Sequence, residues 1–357
     1  MAFQVDCPSC GSSVKVRRGG VEVTCRYCGS SIDVTMQTAS VTGMGNSYRK
    51  IALAASAVFV FLVIGINVLV FYPAAEEDAK SVAFDTRASA VNDCIVMEFG
   101  RAGASRERLI DPRYIAVDRQ GTIYVADADN GLVKVFDCDG NPQEAWSYTG
   151  NRGNTLTGMS ASGDGLLYMV YSSQLYVHNG ETGELLDSLM HPDGSFFADV
   201  DTAPDGSILA SWYFNRDDII RFTADGEVDV LVRGAVSEQT GEGEFDIMVT
   251  AGSNGEMYAY GGFNKAVLAF NAQGIYQFML NSGDMLTLAS GMDVDSRGRI
   301  WISDFGVFLV FGSDGEFINT VNPGYCVYDF VINDDMQLFG ITMNDTVIQV
   351  DLSAYPV

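Results

Sequence analysis

Histidine is nearly missing from this chain: two residues in 357, His178 and His191. That scarcity removes the usual general base of nucleophilic triads and the commonest metal ligand from most of the sequence. Neither histidine has a metal-ligand companion at useful spacing, and no Gly-x-Ser-x-Gly elbow appears. Positive charge is also scarce, with 21 Lys and Arg against 46 Asp and Glu and a formal charge of −25. The deficit is uneven. Lys15, Arg17, Arg18, Arg26, Arg49 and Lys50 outweigh Asp6, Glu22 and Asp33, so the first fifty residues carry +3 and the remainder −28. A surface that acidic repels phosphate backbones and anionic lipid heads, which argues against nucleic acid as a partner. Cysteine is sparse outside the first 28 residues: Cys94, Cys138 and Cys326 are scattered, and the odd total of seven does not suggest a disulfide framework.

The four remaining cysteines are ordered. Cys7-x2-Cys10-x14-Cys25-x2-Cys28 sets two thiolate pairs at the spacing of a tetrahedral S4 site, which suits Zn²⁺. Pro8, Gly11 and Gly29 supply turns. The stretch "SVKVRRGGVEVTC" alternates and predicts a β-hairpin turning at Gly19-Gly20. Residues 3–35 resemble a zinc ribbon. Four cysteinates leave no open coordination position, so the ion would be structural and replace a core that some thirty residues cannot build.

One long apolar run exists, "IALAASAVFVFLVIGINVLVFY" at 51–72, with no charged residue. At about 1.5 Å per residue a helix of this length crosses a bilayer's hydrocarbon core. Arg49 and Lys50 precede it, while Glu76, Glu77 and Asp78 follow, so the N-terminus is expected in the cytoplasm and the acidic part outside. A cleaved signal peptide is the alternative, but the run is long for an h-region and follows a folded module. The thiolates would then face a reducing compartment.

Residues 93–357 repeat. "YIAVDRQGTIYVADADNGLVKVFDCDGN", from Tyr114, reads as short alternating strands separated by turns, and five further copies follow. Glycines mark the turn before the second strand at Gly121, Gly165, Gly206, Gly255 and Gly298; the sixth copy has Met336 there. The spacing of 38 to 49 residues is that of a four-stranded blade. "CIVMEFG" at 94–100 is a lone strand that can complete the last copy and close the ring. This part resembles the NHL-type six-bladed β-propeller. The predicted fold is therefore all-β, a six-bladed propeller preceded by a small zinc ribbon and a single transmembrane α-helix. The boundaries are 1–36 for the ribbon, 37–50 for a linker, 51–72 for the helix, 73–92 for a second linker and 93–357 for the propeller.

Propellers bind through loops around the central channel. Arg113, Tyr114 and Tyr325 enter first strands, while Trp212, Tyr213, Arg216, Phe263, Lys265 and Asp304 sit at or near second-to-third-strand loops. Exposed aromatics beside Arg suit a recognition surface; packing of the same aromatics between blades is the competing reading. Asp127, Asp129, Asp137 and Asp139 invite a Ca²⁺ reading, but Asp recurs beside Gly in nearly every copy, where it builds turns. With no nucleophile or catalytic metal set visible, the expected role is non-catalytic. The propeller would recognise a protein, peptide or glycan outside the membrane, and the ribbon would dock a cytoplasmic protein. The alternative is a membrane-tethered hydrolase or lyase, lactonase-like, with a divalent cation in the channel, as the resemblance to some six-bladed propellers implies.

Overall fold

In the computed structural model the described residues are 2–6, 13–17, 22–24, 31–33 and 95–354, less 101–107, 149–154, 246, 281 and 284. The chain divides into two units, Met1–Phe84 and Asp85–Val357.

In the first unit four strands pair as two antiparallel hairpins: Ala2–Asp6 with Ser13–Arg17, and Glu22–Thr24 with Ser31–Asp33. This corrects the expected hairpin at Gly19-Gly20. The alternating stretches on either side of those glycines are strands, but each pairs outward, across a Cys-x-x-Cys interval. The four cysteines and residues 51–72 lie outside the described residues. Among the described residues no helix is long and apolar enough to cross a membrane.

The second unit holds six four-stranded antiparallel sheets among its described residues, each a blade. Blade one runs Pro112–Val117, Ile123–Asp127, Leu132–Phe136 and Pro142–Ser147. The innermost strands of blades two to six are Leu156–Ala161, Phe197–Thr202, Ile247–Ala251, Ala289–Val294 and Val327–Ile332. Strand Ile95–Phe99 supplies the outer strand of blade six, antiparallel to Val347–Asp351, so the two ends of the ring are tied in one sheet. Blade six thereby has four strands like the other blades.

Second and third strands are apolar on both faces because each blade is packed between two others. Met257–Gly261 and Ala266–Phe270 are buried along their whole length. The core is accordingly a series of inter-blade clusters. Tyr124 and Trp146 of blade one meet Met159 and Leu167 of blade two. Ile115 and Phe136 meet Phe339 and Val347 of blade six, which closes the ring with apolar contact as well as hydrogen bonds. Fourth strands face solvent, as in Leu185–Leu189 and Phe317–Val321.

The marker glycines sit at positive φ, between 76° and 86°, where a Cβ would be strained. Met336 takes the same conformation at φ 61°. It is also buried in the cluster of Trp301 and Leu338, so packing holds a side chain where the turn favours glycine. The longest copy spacing has a local cause. Residues 233–245 include a short helix, Ser237–Thr240, inserted between blades three and four, and they carry Phe245 to the channel lining.

Candidate functional site in the central channel

The inner strands surround a cavity of about 970 Å³ that runs from the first-to-second-strand turns to the second-to-third-strand loops. Side chains alternate along a strand, so each inner strand offers two positions to the channel. Counting back from the marker turn, one layer contains Ser160, Asp201, Thr250 and Asp293 on four consecutive blades. The next layer contains Asp199 and Asp329 on opposite blades, with Tyr114 and Met248.

Asp201 is held by four donors. Ser160 Oγ and Thr202 N reach Oδ1 at 3.0 and 2.8 Å, and Thr250 Oγ1 and Ala251 N reach Oδ2 at 3.0 and 2.9 Å. Asp293 accepts from Val294 N at 2.7 Å and Ile332 N at 2.6 Å, with the Thr250 hydroxyl 3.5 Å away. Asp199 accepts from Val249 N at 2.9 Å and Asp329 from Ile115 N at 2.8 Å. Each carboxylate thus engages an N–H on the inner strand of the next blade. Neighbouring blades share no sheet ladder, so these N–H groups need side-chain acceptors.

Burial raises the pKa of three channel carboxyls, Asp201, Asp293 and Asp329. Asp293 and Asp329 lie well above the usual carboxylate range, pushed further by the charges of Asp201 and Asp199 respectively. More donors stabilise the ionised form of Asp201, so the pair is asymmetric: the proton belongs on Asp293 and the charge on Asp201. Two carboxyl groups in different protonation states, bridged by one threonine hydroxyl, form a unit able to give and take a proton.

The loops behind the mouth are fixed by other buried carboxylates. Glu244 accepts from Phe263 N and Asn264 N at 3.1 and 3.2 Å, and Asp304 from Thr287 N at 2.6 Å and Leu288 N. Asp127 accepts from Ile110 N and Asp111 N and pairs with Lys134 at 3.2 Å. Asp137 accepts from Asp139 N and Asn141 N in its own turn.

Of the residues expected at the mouth, Tyr114, Tyr213 and Phe263 line the cavity. Trp212 and Asp304 are buried at strand ends, Trp212 donating to Gly194 O at 2.9 Å. Trp212 lies in strand Ile208–Tyr213 and packs into the apolar cluster between blades two and three. The basic residues are occupied elsewhere. Arg113 pairs with Asp111 at 2.7 Å, and Arg216 lies over Trp212 while pairing with Asp218 at 2.8 Å and with Asp193. Lys265 is exposed at φ 50°, and Tyr325 donates to Glu98 at 3.1 Å. Of the expected cluster, Tyr213 and Phe263 reach the channel, while Trp212, Arg216 and Lys265 do not.

The channel aspartates escaped the sequence reading. Aligning the copies on the marker turn places Asp201 with Asp293 in one column and Asp199 with Asp329 in another, and that column signal was the way to find them.

The described residues contain one group of at least three metal-ligand side chains with ligand atoms within 4.8 Å of one another, His191, Asp193 and Asp218, outside the channel lining. Asp193 N–H donates to His191 Nδ1 at 3.1 Å, which places the ring proton on Nε2, facing Asp218 at 3.4 Å. Burial lowers this histidine's pKa, and Arg216 and Arg233 already balance the two carboxylates. The group reads as a neutral, stacked support for Trp212, 4.3 Å from the imidazole.

The NHL repeat family matches residues 109–136. Comparison with curated proteins gives no match. Among solved structures, a candidate gluconolactonase is similar with a TM-score of 0.55 and 15% identity over 71% of this chain and 91% of that one. A gluconolactonase from Xanthomonas campestris gives 0.53 and 15% over 68% and 86%. Virginiamycin B lyase from Staphylococcus aureus gives 0.50 and 14% over 73% and 88%. The second unit carries an NHL repeat and has the six-bladed propeller fold; at these identities the likeness is one of fold.

Proposed function

We propose that the propeller works through its central channel, as a hydrolase or lyase of a small ligand, with Asp293 as proton donor and Asp201 as acceptor. The observation that carries this reading is the Asp201–Thr250–Asp293 unit in a cavity open to solvent. The fold neighbours described as gluconolactonase and lyase favour it over a purely structural role. A divalent cation in the channel would draw on Asp201 and Asp293. Among the described residues these two have no third His, Cys, Asp or Glu ligand within 4.8 Å of both. The test is turnover of a lactone panel by the full-length protein. Asp293→Asn is expected to reduce any turnover by about 10²–10⁴-fold, the usual share of general acid catalysis. Turnover unaffected by that change would remove Asp293 from the mechanism.

A second reading, non-catalytic recognition of a protein, peptide or glycan, is favoured by the exposed aromatics at the mouth, Phe245 and Phe263. Under either reading we place the propeller outside a membrane crossed by residues 51–72, and a structural Zn²⁺ on Cys7, Cys10, Cys25 and Cys28, where it builds a docking module for a cytoplasmic protein. The two hairpins that flank the Cys-x-x-Cys intervals support the zinc assignment. Metal analysis of the reduced protein should give one zinc per chain; a zinc-free folded ribbon would refute it.

A further inference from the structure

The face of the propeller that holds the second-to-third-strand loops is unusually apolar. Phe214, Phe263, Phe305 and Met343 project from those loops in four successive blades, and Phe263, Phe305 and Met343 are each about 70% exposed. Phe245 and Leu288, both 64% exposed, enter inner strands on the same face and line the channel mouth. These side chains are held in place, since Glu244 fixes the Phe263 loop and Asp304 fixes Leu288. Phe245 and Phe263 meet edge to face at 6.0 Å. Phe305 sits at φ 47°, a strained conformation for a bulky residue, with three-quarters of its surface in water. Neither its burial nor its backbone explains it. Monomeric proteins rarely leave such a contiguous patch bare unless something binds there.

The channel at the centre of this face fixes the charge of what binds. Its walls carry Asp199, Asp201, Asp293 and Asp329. The basic residue among the described lining residues is Arg119, on a first-to-second-strand turn at the opposite end. An apolar ring at the mouth of a channel with acidic walls is complementary to a cation with apolar flanks.

We propose that this face docks a protein segment presenting a lysine or arginine between apolar residues, the cation entering the channel and the flanks resting on Phe245, Phe263, Leu288 and Phe305. The proposal rests on the channel being the working site but not on turnover. Other occupants, a free amine or a neutral apolar peptide, are distinguished by the test.

Full-length protein in nanodiscs of zwitterionic lipid is titrated with fluorescein-labelled Leu-Phe-Lys-Phe-Leu and with the same peptide carrying Gln for Lys. The lysine peptide is expected to bind about tenfold tighter or more, the scale of one close charge pair. The preference should vanish in Asp199→Asn/Asp201→Asn. Phe305→Gly relieves a left-handed residue and should keep its thermal midpoint while weakening both peptides. Equal binding of the two peptides overturns the proposal, as does binding unchanged by Phe305→Gly together with Phe263→Ser. Displacement of the lysine peptide by butylamine at equal concentration assigns the site to free amines and also overturns it. Lactone turnover on the same protein judges the channel chemistry separately: peptide discrimination without turnover sinks the hydrolase reading alone, and turnover without discrimination sinks the docking proposal alone.

Discussion

Asp293 is an acid placed where ionisation is costly. Desolvation penalises its charged form and Asp201 repels it, while two backbone donors offset only part of the cost. The sign of the linkage follows. Asp201, Asp293 and Asp329 have folded pKa values above the unfolded one, so their contribution to stability is fully present below 3.8 and is lost as pH rises through the raised values. Asp137, Asp193, Asp205 and Asp351 are lowered, chiefly by hydrogen bonds, and their contribution disappears below that same 3.8. The thermal midpoint of the propeller is therefore expected to rise as pH drops from neutral toward the ordinary carboxylate value, then to fall below it. A midpoint that declines steadily from neutral pH would contradict the buried, mutually repelling channel carboxyls. Gly158 works at the same scale. A Cβ there would meet Asp199 Oδ1 at 2.6 Å and its Cα at 2.9 Å, so Gly158→Ala must displace the carboxylate or the strand. Overpacking of this kind costs about 1–3 kcal/mol, readable in denaturant midpoints. No change would mean that the inner strands yield more easily than their contacts imply.

At the scale of the element, the blade is a turn-driven unit. In blade five Asp295 accepts from Arg297 N and Arg299 N, binds Arg299 Nε at 2.6 Å and receives Trp301 Nε1 at 2.7 Å. One carboxylate thus closes the turn, neutralises a buried guanidinium and satisfies a buried indole. Asp295→Ala is expected to cost about 3–5 kcal/mol, because it strands a buried charge; a loss under about 1 kcal/mol in chemical unfolding would show that water replaces the carboxylate. Blade two fills the corresponding position with Ser162 and blade six with Asn333, and both turns fold alike. The blade period was legible because the turns require positive φ and glycine records that requirement. The sixth turn departs from glycine at Met336 because burial, not backbone preference, chose the residue. The hairpin at Gly19-Gly20 was misread for a related reason: alternation identifies strands but not partners.

At the scale of the molecule, closure converts local repeats into a site. Asp199, Asp201, Asp293 and Asp329 are far apart in sequence, and they share a channel only because Ile95–Phe99 ties blade six to the other end of the chain. Convergence of that kind is not written in any one repeat, so the aspartates were not legible while the loop aromatics Tyr114, Tyr213 and Phe263 were. Phe99 packs on Phe136 of blade one, ring centroids 4.8 Å apart, as well as extending the sheet of blade six. Phe99→Ala is expected to lower stability by about 2 kcal/mol, less than for a fully buried aromatic because Phe99 is half-buried. Loss of less than about 1 kcal/mol in chemical unfolding would indicate that the ring closes without that contact. The −28 carried beyond residue 50 adds self-repulsion and sets the sign of partners at long range.

The account turns on one proton, shared between two aspartates in an open channel. Infrared difference spectroscopy of the full-length protein at neutral pH reads it directly, through the carbonyl stretch of an un-ionised carboxyl group. The expected result is a protonated-carboxyl band that persists at neutral pH and loses its Asp293 component in Asp293→Asn, the Asp329 component remaining. A spectrum with no such band, or a band that survives the substitution unchanged, would contradict the assignment of Asp293 as the channel's acid.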